Sequence, residues 1–169
     1  MDRKQAENYI FFSTLAITAI IFVFTPAYPG SSLEYLLDEF CNRYLFGNGW
    51  YKPSNYPFAA KITNSLSVVF AISAGVAMGI WRKNDIITPL PKNIWWSCLF
   101  FLVLGVMMLW ESIFHQEFKI TSGRSFGTSE AFHNNPISFV SFMAVKAGVI
   151  YAGFRFPISL ILYLLSKKK

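Results

Sequence analysis

Lys146 and Arg155 stand inside "SFMAVKAGVIYAGFRFPISL", a segment otherwise apolar enough for a bilayer interior. A cation near the bilayer centre costs roughly 3 kcal/mol even after snorkelling and water entry, so each of these residues needs a partner or a task. Depth counted back from Leu165 sets Lys146 near the outer boundary and Arg155 near mid-membrane. Lys146 is then expected to snorkel outward or to pair with Glu111. Arg155 meets no acid in any expected span, which leaves backbone carbonyls, hydroxyls such as Ser13, Thr14, Thr18 or Ser67, a lipid phosphate, or a group brought by another molecule. Nine residues separate the two cations, two and a half helical turns, so they point to opposite faces and do not form one site.

A second set of residues has types suited to acid–base or metal chemistry. "ESIFH" sets Glu111 and His115 one helical turn apart, and Glu117 and His133 lie in the same loop. The spacing is loose and is not H-E-x-x-H, so no catalytic residue, metal or cofactor is expected. "TSGRSFGTS" follows no strand and makes no phosphate loop. Cys41 and Cys98 lack metal-ligand spacing, and no disulfide is expected between them.

The elements that must hold these residues follow from composition. Of 169 residues, 54% are hydrophobic and 14% charged, and 18 are phenylalanine, which marks a membrane protein of one domain, residues 1–169. Four apolar runs reach about 20 residues, the length that crosses ~30 Å of hydrocarbon: about 9–28, 62–81, 93–110 and 137–165. The last is long enough to tilt, protrude or bend at Pro157. The first reads as a span rather than a cleaved leader, because "TPAYPG" lacks the small-residue cleavage pattern. The expected fold is all-α, a polytopic four-transmembrane-helix bundle.

Charge placement orients it. The formal charge of +6 lies at the ends of apolar runs, which points to membrane anchoring and not to nucleic acid. Eight Lys and Arg residues fall in the N-terminus, the short loop with Arg82, Lys83 and Lys92, and the tail; five fall in the two longer loops. Both termini are therefore expected in the cytoplasm, with the longer loops on the far side. The first of these, "SSLEYLLDEFCNRYLFG", puts Leu33, Leu36, Leu37, Phe40, Cys41 and Tyr44 on one helical face and Glu34, Asp38, Glu39, Asn42 and Arg43 on the other. Ser31 and Glu34 fit a capping box, and Gly47 a stop. An amphipathic interfacial helix follows, lying on the outer leaflet or over the bundle, with a docking surface as the alternative.

Two stripes of small residues point to helix packing. Ser67, Ala71, Gly75 and Gly79 repeat every four residues in the second span, and Ala144, Gly148 and Ala152 do so in the fourth. Small residues let helix backbones approach in lipid, where the hydrophobic effect supplies no drive. Either both stripes pack inside the bundle or one accepts a helix from another protein.

The stretch "FKITSGRS", Phe118–Ser125, precedes the fourth of four spans in a chain with cytoplasmic ends and a terminal lysine cluster. It resembles the corresponding loop of the colicin A-type immunity proteins, with a Phe, a Thr and then Gly-Arg. "SNYPFAAKI" before the second span is similar to theirs, whereas "KNIWWSCLFF" and the long first loop depart from the family pattern. The resemblance implies a bacteriocin immunity protein of the bacterial inner membrane that binds the hydrophobic helices of a pore-forming toxin and blocks channel opening. It assigns recognition to Thr121, Gly123 and Arg124, and makes Gly75, Gly79, Gly148, Lys146 and Arg155 the candidate helix-binding and ionic contacts. Membrane lipids are the other expected partners. The alternatives are a small membrane-embedded enzyme or lipid hydrolase using the outer-loop Glu and His residues, and an accessory subunit of a membrane complex.

Overall fold

The computed structural model describes residues 3–49, 51–83, 85–86, 89–118 and 128–167. Among them six helices follow one another: α1 Arg3–Phe24, α2 Ser32–Tyr44, α3 Pro57–Trp81, α4 Ile94–Ile113, α5 Glu130–His133 and α6 Pro136–Lys167. Four of these, α1, α3, α4 and α6, are long and apolar enough to cross a membrane.

The helix bounds differ from the expected spans for local reasons. α1 starts at Arg3, ahead of Tyr9, because its polar first turns find ionic partners described below. It stops at Phe24, where the Thr25 hydroxyl donates to the Ile21 carbonyl and Pro26 follows. α3 begins at Pro57, whose fixed φ and missing N–H suit a first helical turn. α6 continues through Pro157 and runs for 32 residues, so its extra length is helix rather than a break.

α3 and α6 pack along each other as the central pair; α1 lies against both and α4 mainly against α6, while α1 and α4 do not pack together. Burial follows this order: 56% of the most apolar stretch of α3 is buried, against 11% in α1 and in α4. The outer helices turn Phe12, Val23, Phe24, Trp96, Phe100 and Trp110 outward. The core between α3 and α6 is built from Val68, Ala71, Met78, Ala147, Ile150 and Tyr151.

One end of the assembly, the base, holds the start of α1, the end of α3 and the start of α4. The other end, the crown, holds α2, α5 and the segments around them. There the two longer loops are tied together: Ser54 Oγ donates to Glu130 Oε1 at 2.7 Å and the Asn55 N–H to Asn134 Oδ1 at 3.1 Å. Tyr56, Ala59, Ala60, Phe139 and Met143 fill the space beneath.

α2 forms with the expected capping box, Ser31 accepting from the Glu34 N–H and Glu34 accepting from the N–H groups of Ser31 and Gly30. These backbone donors hold the Glu34 carboxyl below its ordinary range. The side along Glu34, Asp38, Cys41 and Asn42 is turned to the protein, with Asp38 2.6 Å from Lys61 of α3 and Cys41 buried against Phe58 and Ile62, while Glu39 and Arg43 are exposed. Burial pushes the Cys41 thiol up. Leu33, Leu36, Leu37, Phe40 and Tyr44 are exposed on the opposite side. Cys41, expected on the apolar face, is the exception to that face and turns inward. Gly47 ends the helix, its N–H bonding the Cys41 carbonyl at 2.9 Å.

Candidate functional site

α6 carries the candidate residues, and three of its faces meet three different surroundings. The first is covered by α3. A Cβ on Gly75 would lie 2.7 Å from the Tyr151 carbonyl oxygen, and one on Gly79 would lie 2.9 Å from Ile158 Cβ, so the α3 stripe is used up by close approach of α6. Gly75 and Gly79 are buried there and closed to any further helix.

The second face meets α4 at a pair of glycines that the repeat pattern does not reveal. A Cβ on Gly153 would sit 2.9 Å from Gly105 Cα and 3.0 Å from the Phe101 carbonyl oxygen, so the two backbones touch at their crossing. Gly105 is the single glycine of α4, and Gly153 falls outside the four-residue repeat of Ala144, Gly148 and Ala152, so neither belongs to a stripe that would flag it.

The third face is open. Ala144, Gly148 and Ala152 floor a groove of about 560 Å³ between α1, which contributes Phe11 and Leu15, and α4, which contributes Phe101. At Gly148 the first atoms a Cβ would meet are side-chain ends, Leu15 Cδ2 at 3.3 Å and Phe11 Cε2 at 3.6 Å. The groove therefore exists because α1 and α4 stand apart on either side of α6. Its floor of small residues suits the close approach of a second helix backbone.

The base end of this groove is charged. Arg155 lines it, and its Nε donates to Glu7 Oε1 at 2.6 Å. Glu7 also bonds Arg82, whose Nε reaches Asp85 at 3.2 Å, and Arg3 lies 3.6 Å from Asp85. This corrects the expectation that Arg155 lacks an acidic partner: helix α1 begins before the apolar run and brings Glu7 to it. Three of the four hydroxyls offered as substitutes are occupied elsewhere, Thr14 on the Ile10 carbonyl, Thr18 on the Thr14 carbonyl and Ser67 on the Asn64 carbonyl. Arg155 sits level with the start of α1 and the residues that follow α3, shallower than mid-span.

Lys146 turns inward rather than snorkelling. It is 1% exposed, donates to Asn64 Oδ1, and lies within electrostatic reach of Glu111. The Asn64 amide in turn donates to the Phe46 carbonyl at 2.9 Å and the Ser112 carbonyl at 3.4 Å. One buried lysine thus links α6 to α3, and through Asn64 to the end of α4 and the segment after α2. A charge enclosed this way is tolerated only with hydrogen-bond partners around it. Lys146 and Arg155 are in separate surroundings, as their spacing requires.

The acid and histidine candidates are dispersed. Glu111 is half-buried, His115 and Glu117 are exposed, and His133 is fully buried in an aromatic cluster, stacked 4.3 Å from the Tyr51 ring with Phe118, Phe132, Phe139 and Phe142 around it. Tyr56 donates its hydroxyl to the His133 carbonyl, and burial pushes that phenol up to about 12. Among the described residues no three His, Cys, Asp or Glu side chains form a metal-holding group. Thr121, Gly123 and Arg124 lie outside the described residues.

Comparison with known proteins returns no family model, no curated protein and no solved structure that matches this chain.

Proposed function

We propose that this chain is a four-span bundle of the bacterial inner membrane, with both termini cytoplasmic, that neutralises a pore-forming toxin by accepting one of its hydrophobic helices. The observation that carries this reading is the groove floored by Ala144, Gly148 and Ala152, which α1 and α4 flank without closing. A hydrophobic toxin helix laid there gains close backbone packing along the floor and meets the Arg155–Glu7 pair at the base end. The distribution of Lys and Arg supports the orientation. The resemblance of "FKITSGRS" to the colicin A-type immunity loop supports the partner class, with Thr121, Gly123 and Arg124 as its contacts on the periplasmic side.

The test is survival and membrane potential of bacteria expressing the chain and challenged with a panel of pore-forming toxins. Protection confined to one pore domain is expected, and Gly148→Leu, which fills the groove floor, is expected to abolish it at unchanged membrane levels. Killing across the whole panel with the protein in the membrane overturns the immunity reading. Normal protection by Gly148→Leu overturns the groove as its mechanism. Copurification of one constant membrane protein without toxin would place a resident partner in the groove instead.

A further inference from the structure

A second cavity, about 600 Å³, opens at the base between the start of α4, the end of α3 and α6, and toxin binding gives it no task. Its charged lining is Lys4, Arg82, Arg155 and the single carboxylate Asp85. Cations therefore outnumber acids three to one along its wall. Glu7 does not line this cavity; it holds Arg155 by Nε and Arg82 by Nη1 from the other side. Both terminal nitrogens of Arg155 make no hydrogen bond among the described residues, although its side chain is only 15% exposed. A guanidinium whose inner edge is fixed and whose outer fork is unspent is suited to a planar, multi-oxygen anion.

The start of α4 adds to this field. Asn93, Ile94 and Ser97 line the cavity; the Ile94 and Ser97 N–H groups are taken by the Pro91 and Asn93 carbonyls, so what this end of a 20-residue helix contributes is the positive end of its dipole rather than free donors. The rest of the lining is mostly apolar, Phe101, Phe156 and Leu160 among it, and the one hydroxyl there, Ser159, is spent on the Gly79 carbonyl. Arg155, Phe101 and Phe156 belong to this cavity and to the groove, so the charged pocket continues into an apolar channel. A free anion would use only the first part. An anion carrying a hydrocarbon chain uses both.

We propose that the basal cavity binds the phosphate of an anionic membrane phospholipid, gripped by Arg155, Arg82 and Lys4, with an acyl chain laid against Phe101, Phe156 and Leu160. Cationic pockets between membrane helices are suited to such headgroups, and here the cations and the apolar channel meet at one residue, Arg155. This stands on the chain being a membrane protein and needs no toxin.

The experiment uses the full chain, stripped of lipid in a neutral detergent and titrated with dihexanoyl phosphatidylglycerol, dihexanoyl phosphatidylcholine or inorganic phosphate. Native mass spectrometry counts bound molecules, and the fluorescence of Trp81, Trp95 and Trp96 near the base gives affinity. One phosphatidylglycerol per chain is expected, with the zwitterionic lipid and inorganic phosphate each at least about tenfold weaker. Arg155→Gln should weaken phosphatidylglycerol about tenfold while Glu7 keeps Arg82. Ser97→Trp fills the cavity from an exposed position, leaves the ion pairs intact and should remove binding even if Arg155→Gln fails to fold. Equal affinity for the two lipids, or unaltered binding by Ser97→Trp, overturns the proposal. Inorganic phosphate binding as tightly as phosphatidylglycerol overturns its lipid source and leaves a soluble-anion site.

Discussion

Two stripes of small residues at the same four-residue spacing meet different ends in this molecule. The α3 stripe is sealed: Gly75 and Gly79 sit under α6 with backbone and β-carbon atoms too near to admit a side chain. The α6 stripe is left open: Gly148 faces only the movable ends of Leu15 and Phe11. The spacing is thus a statement about what a helix surface permits, and the neighbours decide whether the permission is used inside the fold or offered to another molecule.

Substitutions can sharpen that contrast or abolish it. The largest effect is expected from Gly75→Leu, whose side chain must displace the α6 backbone at Tyr151; overpacking of this kind costs about 3 kcal/mol or more, and little folded protein should survive detergent extraction. Recovery of normally folded Gly75→Leu would mean that the two stripes are equivalent after all. Glu7→Ala comes next. It strips Arg155 and Arg82 of their shared carboxylate in a half-buried site, at a cost of about 2 kcal/mol by thermal unfolding, and loosens α1 from α6 beside the groove. Gly148→Leu should change stability by less than about 1 kcal/mol, because the atoms it meets are side-chain ends, Leu15 Cδ2 and Phe11 Cε2, which can turn aside. A large loss of stability there would show that the groove is closed in solution.

The smallest effect lies at the crown and works through pH. Backbone donors hold Glu34 below its ordinary range, so it contributes stability above the unfolded value of about 4.3, and that contribution is lost as pH falls through the lower folded value. Protection of the Gly30 and Ser31 N–H groups from hydrogen exchange, relative to their intrinsic rates at each pH, should fall on acidification in the native chain and lose that dependence in Glu34→Gln. The stripes should not respond, which separates local fraying from opening of the helix pair.

Much of this was legible in the sequence, and the omissions have physical causes. The four apolar helices and the amphipathic α2 with its Ser31–Glu34 box follow from periodicity and end chemistry, both local. Glu7 was missed as a partner because hydropathy starts a helix where its residues turn apolar, whereas α1 begins a turn and a half earlier with the residues that meet Arg155. The Gly105–Gly153 crossing leaves no repeat in either helix, since a glycine outside a stripe acquires meaning only from the helix laid across it. The openness of the groove is equally non-local: it arises from two helices, α1 and α4, that fail to meet.

Helix α2, tied by Asp38 to Lys61 and carrying Leu33, Leu36, Leu37, Phe40 and Tyr44 exposed, would have a mechanical consequence in the membrane placement proposed above. There it would work as an outrigger. With α2 at the membrane surface, any tilt that lifts Leu36 or Phe40 into water, or sinks Glu39 among acyl chains, would be resisted by a lever fixed to α3, and the depth and heading of the whole body would be set from one flank.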